Sequence, residues 1–269
     1  MFKIKDLKIL FIVFIICSGF LFKAHSGTSE IVITKCPIGK GVATGEISKS
    51  FSYFNKWLDG EPLGPGAFPL PPPECKENGF LVFKKHFDYT EKEILQEYIF
   101  SKEYQKLRKE TVSFYRLAKI YEKLNYPLKD YIFLYLISTW NFNQLEKNLL
   151  KKISSETNVS KKQNLKNSLA DIRKKYKFYA THAISKFLQI AKINNQRTEI
   201  LVDCKYYLAE LNRRLGNFEE AKLNIEWVYL NNNNLINKDL IKFQLFLINK
   251  QNSNPYLLSE IKKNKIHIQ

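Results

Sequence analysis

The chain has 269 residues, a formal net charge of +17 and an abundance of Lys, Asn and Ile. Such a charge attracts nucleic acid or anionic surfaces, but the lysines are spread along the chain and Arg, the preferred reader of bases and phosphates, is scarce. A nucleic-acid partner is therefore not expected, and the densest basic stretch, Arg173-Lys174-Lys175-Tyr176-Lys177, reads as a solvated helix face.

Lys3, Lys5 and Lys8 precede an uncharged, mostly apolar run of 14 residues, 9–22, followed by Lys23-Ala24-His25-Ser26-Gly27. The run is short for a membrane span, which needs about 20 residues. Its length and flanks suit a secretory signal, with Ala24-His25-Ser26 matching the small-x-small cleavage pattern. Residues 1–26 are read as that signal, with an uncleaved membrane anchor as the alternative. Ile16 before Cys17 argues against lipidation.

Residues 27–89 are rich in Gly and Pro and hold short β-like runs at 31–34, 47–54 and 80–83. Between them, residues 60–73 contain three glycines and six prolines and form an irregular, semi-rigid connector. Two cysteine turns stand out: Cys36-Pro37-Ile38-Gly39 and Cys75-Lys76-Glu77-Asn78-Gly79. Each has the outline of half a zinc knuckle, in which two C-x-x-C turns supply four thiolates to tetrahedral Zn²⁺. Gly39 and Asn78 occupy the places of the second ligands. In an oxidising compartment the two remaining thiols can instead form a disulfide. Closing a loop of about 40 residues corresponds to roughly 4 kcal/mol in the chain-entropy description.

From residue 90 the pattern is helical. Thr90 with Glu93 predicts a capped helix start. Phe114, Leu117, Ala118, Tyr121 and Leu124 recur at helical spacing, and Pro127 precedes a helix expected to turn Tyr131, Leu134, Tyr135, Ile137 and Ser138 inward. The polar stretch 144–175 contains a break near 157–160, with Ser160 as the expected cap. Tyr176, Tyr179, Ala180, Ala183 and Phe187 form a stripe read as core. Residues 207–221 read as helix, Gly216 turn, helix, with small Ala209 and Ala221 at the crossing; this resembles a tetratricopeptide repeat. A weaker copy begins near Thr111, with Asp130 in place of its second small residue. The expected fold is mainly α: an antiparallel helix-hairpin array over 90–250, a small N-terminal β/knuckle module over 27–89, and a C-terminal helix or tail over 251–269.

The order of the Cys36-Pro37 turn, the Pro-rich connector, the Cys75-x-x-x-Gly79-Phe80 turn and hairpins ending in Ala209-Glu210-Leu211-x-Arg213-Arg214-Leu215-Gly216 resembles an uncharacterised bacterial family. That family is number 2225 in the domain-of-unknown-function series, and the resemblance covers most of the chain after residue 26. Its typical members carry C-P-x-C and C-P-x-C-G knuckles before tetratricopeptide-like helices, which implies zinc in those members. This chain keeps only Cys36 and Cys75, so a metal site would need Glu74 or His86 to complete it. The family implies an architecture and no chemistry.

No metalloprotease, nucleophile-elbow, phosphate-loop or dinucleotide motif is present in the sequence. Beyond residue 26 the histidines are His86, His182 and His267. His182 is expected to be half-buried with its hydrogen bonds satisfied, His267 lies in the tail, and Cys204 reads as a buried apolar residue. No cofactor is expected. The sequence therefore predicts an exported, noncatalytic interaction scaffold that binds a protein or peptide partner in a groove near Lys205, Tyr206, Asn212 and Arg213. Three alternatives remain. The first is a thiol–disulfide exchange protein using Cys36 and Cys75, helped by Lys35, Lys40, Lys76 and Lys84. The second is a cytosolic scaffold with zinc on Cys36, Cys75 and His86. The third is a surface protein held by its charge on an anionic envelope lipid or glycan.

Overall fold

A computed structural model of the chain describes residues 28–66, 69–194 and 198–263. The proposed signal, residues 1–26, and His267 lie outside them. The protein is mainly helical, with a small antiparallel sheet near its N-terminus. Strands β1 (Ser29–Lys35) and β2 (Val42–Ser48) pair from Ser29 opposite Ser48 to Lys35 opposite Val42. The two-residue β5 (Glu74–Cys75) adds to the other side of β2, so β1 is an edge. A second pair, β3 (Asn55–Lys56) and β4 (Pro62–Leu63), brackets the start of the connector.

The helices are α1 (Tyr89–Ile99), α2 (Lys102–Glu110), α3 (Ser113–Lys123), α4 (Ile132–Ser155), α5 (Val159–Ile193), α6 (Thr198–Leu215), α7 (Phe218–Asn231), α8 (Lys238–Asn249) and α9 (Leu258–Lys263). From α3 to α8 each packs chiefly on its neighbours in the chain, as expected of successive hairpins. The hairpin of α6 and α7 follows the sequence closely. Ala209 and Ala221 are fully buried at the crossing, and Gly216 turns with φ +81°. The stripe from Tyr176 to Phe187 is also interior. Helix α5, with 35 residues, and α4, with 24, are much longer than the helices of a 34-residue repeat.

Four local expectations shift. Of the β-like run expected at 47–54, only 47 and 48 lie in a strand, the end of β2. The first helix begins two residues early because Asp88, not Thr90, caps it. The Asp88 carboxylate accepts from Glu91 N at 2.8 Å, and Glu91 Oε2 accepts from Asp88 N at 3.0 Å. The spacing of a capping box is the same, and an acid takes the hydroxyl's place. Likewise Asn158, not Ser160, caps α5 by accepting from Lys161 N at 3.0 Å. Residues 80–83 form no strand. Leu81 makes one bridge to Glu74, while Phe80, Phe83 and Phe87 turn edge-on to one another. Ring packing against α3 through Tyr121 replaces the ladder there.

The sheet has no separate core. Cys36, Ile38, Ala43, Cys75, Phe80 and Leu81 share one interior with Leu95, Ile99, Tyr104, Leu117 and Ile120 from α1–α3. The segment just before the connector reaches the far end of the chain. Leu58 packs on Phe243 and Leu247, Trp57 bridges to Leu257, and Leu58 N donates to Tyr256 O at 3.1 Å.

Candidate functional site

The two cysteine turns face each other across a disulfide. Cys36 and Cys75 are bonded with their Cα atoms 5.7 Å apart, and both are buried. Gly39 and Asn78, at the places of the absent ligands, meet beside it. Gly39 has φ +85°, and a Cβ there would lie 2.8 Å from Asn78 Nδ2. The Asn78 amide donates across to Ile38 O at 2.6 Å, and its Oδ1 accepts from Phe80 N at 2.9 Å. A covalent bond and a buried amide thus join the turns where a knuckle would use metal.

The second turn is also gripped from the helices. Tyr104 Oη donates to Gly79 O at 2.6 Å, and Arg116 Nη1 donates to the same carbonyl at 3.1 Å. Arg108 donates to Glu77 O at 2.9 Å and Lys76 O at 2.8 Å. Glu74 pairs with Arg116 at 2.6 Å and Arg108 at 3.4 Å, so it is engaged as a structural anion. His86 is exposed. With both sulfurs in the disulfide, the zinc alternative on Cys36, Cys75 and His86 has no thiolate to use. No three His, Cys, Asp or Glu side chains among the described residues group as a metal site. Burial of both sulfurs also denies a passing thiolate the approach that exchange requires.

The expected partner groove is corrected by burial. Of its four residues, Lys205 is half-buried and Tyr206, Asn212 and Arg213 are interior. Tyr206 Oη donates to Leu58 O at 2.8 Å, and Asn212 Nδ2 donates to Leu208 O at 2.9 Å. Arg213 is fully buried. It grips Glu210 through Nε at 2.9 Å and Nη2 at 2.6 Å, and donates through Nη1 to Asn252 O and Asn254 O. Leu58, just before the connector, and the 252–258 segment cover this face of α6, which helix periodicity alone cannot reveal.

Arg213 belongs to a larger polar interior. Arg214 donates to Ser253 O at 3.0 Å, to Glu146 Oε2 at 2.7 Å and to Asn143 Oδ1, and its guanidinium lies 4.4 Å from the ring centre of Tyr176. Asn143 Nδ2 donates to Asp59 Oδ2 and Glu61 Oε2, both at 2.7 Å. Burial is the main cause that raises both carboxyls above their ordinary range, and their mutual repulsion lifts Glu61 further. In the sequence alone, Asp59, Glu61, Asn143 and Glu146 carry no assigned role, and Arg214 enters only as part of the hairpin motif. The available signal was polar Asn143 and Glu146 on the inward phase of α4, opposite the doubled Arg213-Arg214.

His182 Nδ1 lies 2.8 Å from Phe178 O, and its ring sits edge-on to Tyr115, so it is half-buried and partnered. Cys204 is buried, and burial with neighbouring Asp203 pushes its thiol up to about 11. It lines an apolar cavity of about 520 Å³ with Leu128, Ile132, Phe187, Ile190 and Ile200. On the opposite module, Ile31, Ile33 and Val42 project from one face of the β1–β2 hairpin and are 72, 68 and 43 % exposed. No helix among the described residues is long and apolar enough to cross a membrane. No protein-family model, curated protein or solved structure matches the chain.

Proposed function

We propose that the chain is an exported, noncatalytic interaction scaffold, periplasmic or envelope-associated, whose N-terminal hairpin meets a protein or peptide partner. The observation that carries the reading is the buried Cys36–Cys75 disulfide, because such bonds persist in oxidising compartments and reduced cytosol keeps thiols apart. The apolar run before residue 23 supports the same location. The replacement of metal ligands by Gly39 and Asn78 supports placing the chain beside family 2225 as a relative that dispenses with zinc.

Interaction is assigned to the hairpin because Ile31 and Ile33 stand exposed on an edge strand, where an added strand gains main-chain bonds as well as apolar burial. The test is a photo-crosslinking residue at position 33, with position 161 on exposed α5 as control, in cells of the native host followed by fractionation. The account expects an envelope location and a discrete adduct from position 33 alone. Protein confined to the cytosol, or equal adducts from both positions, contradicts it.

A further inference from the structure

Strand β1 leaves its outer edge open in a defined register. At the two ends of its ladder with β2, Lys49 N donates to Thr28 O at 2.8 Å and Cys36 N donates to Gly41 O at 3.1 Å. Hydrogen-bonded and non-hydrogen-bonded pairs alternate along an antiparallel ladder. Glu30, Val32 and Thr34 therefore spend their main-chain groups on β2, and those of Ser29, Ile31, Ile33 and Lys35 point to the open side. Among the described residues no strand pairs with that side. Proteins blunt such an edge with proline, a bulge or charge. Here the register from Ser29 to Lys35 is unbroken, and Ile31-Val32-Ile33 carries neither charge nor proline.

That stretch is symmetric about Val32, which makes it complementary to itself. A second copy running antiparallel, with Val32 opposite Val32, sets Ile31 opposite Ile33 and Ser29 opposite Lys35. These are the residues whose N–H and C=O face outward, so every outward group of one strand meets an outward group of the other. Ile31 and Ile33 of both copies then align on the exposed face. Centring the pair on Ile33 instead sets Ile31 against Lys35 and Ser29 against Pro37, which has no N–H to give. Centring it on Ile31 leaves Lys35 beyond the end of the other strand. A parallel copy in register sets Lys35 against Lys35 and Glu30 against Glu30, and like charges opposite one another repel. The antiparallel register about Val32 places Lys35 one residue from Glu30 of the other copy.

The helices leave room for this pairing. Burial beneath the sheet is complete at Cys75 and Ala43 but only partial at Val32 and Thr34, and β1 packs chiefly on β2. The helical body therefore lies under the β5 side. At that opposite edge, β5 is two residues long and Glu74 is bridged to Leu81. Pairing through β1 is isologous and uses up the open edge, so it closes at two copies.

We propose that the chain forms a homodimer by antiparallel pairing of β1 with β1 of a second copy about Val32, which joins the two sheets into one. This rests on the hairpin being the interaction surface and names the chain itself as the partner. One seven-residue strand from each copy is a small interface, so the association is reversible and concentration-dependent.

The test is sedimentation equilibrium of the protein purified from its native host, over a wide range of concentrations. A reversible monomer–dimer equilibrium is expected. Ile33→Pro removes an outward N–H and leaves the ladder with β2 intact; it weakens the dimer by about tenfold or more. Leu230→Lys, which alters an exposed apolar residue on α7, leaves the dimer unchanged. A second measurement does not depend on how well the proline variant folds. At Val32→Cys the pairing holds the two Cα atoms about 4.5 Å apart, within reach of a disulfide, so mild oxidation links the copies. At Glu30→Cys the same register holds the two positions at opposite ends of the paired strands, and no link forms. A chain that is monomeric at every concentration, a dimer as strong in Ile33→Pro, or equal linking of Val32→Cys and Glu30→Cys overturns the proposal. If the protein is monomeric and position 33 crosslinks in cells to a different protein, the dimer falls and the interaction surface stands. A monomeric protein with no adduct from position 33 removes both.

Discussion

Asn78 and Glu61 show how single side chains take over work that their positions do not announce. Asn78 spends its amide on two backbone groups, one in each turn, inside a closed interior. Asn78→Ala leaves the Ile38 carbonyl and the Phe80 amide unsatisfied, a loss of about 1–3 kcal/mol in urea unfolding. Asn78→Asp keeps the acceptor and loses the donor, so it also destabilises. Glu61 governs a different observable. Its raised carboxyl binds a proton more tightly in the folded chain than in the unfolded one. Stability from this group is therefore greatest below its ordinary range and falls as pH rises from there through neutrality. Asp59 acts with the same sign. Thermal unfolding of Glu61→Gln measured from mildly acid to mildly alkaline pH should show a flatter decline than the parent. An unchanged slope would move the proton elsewhere in the cluster.

At the scale of elements, the segment that enters the connector matters more than its composition suggests. Residues 57–61 run across α4, α6 and α8, and their contacts are the reason Arg213 and Tyr206 are interior. Arg214 is the hub, joining α4 through Glu146 and Asn143 to the 252–258 segment through Ser253. Arg214→Met removes the cation from beside Glu146 and should cost about 3–5 kcal/mol, as breaking a buried pair does. A cycle with Glu146→Met should recover part of that loss by removing the stranded carboxylate. Helices were legible wherever one apolar face repeated: Gly216, Ala209 and Ala221 predicted their hairpin, and the Tyr176–Phe187 stripe predicted its burial. The polar cluster was not, because its members are scattered from Asp59 to Arg214, with Asp59 and Asn143 alone 84 positions apart, and meet only through tertiary packing. The partner groove failed for the same reason. A helix of known phase does not disclose that an irregular segment from the opposite end of the chain covers it.

For the whole molecule, the disulfide ties location to stability. The sheet borrows its interior from α1–α3, yet the turns that join it depend on Cys36–Cys75. Replacing both cysteines by serine should lower stability by roughly 2–4 kcal/mol, read by urea unfolding against the parent with and without reductant. The pairing of the two cysteines was legible from their matched turns and from the missing ligands, whereas the Asn78 bridge required the turns to be brought face to face. The most direct measurement of the account is the intact mass of the protein from its native envelope fraction, after free thiols are trapped, with and without reduction. Loss of residues 1–26, with Cys36 and Cys75 labelled only after reduction, is the result the account predicts. A full-length chain with both thiols labelled before reduction, or one carrying zinc, would contradict it.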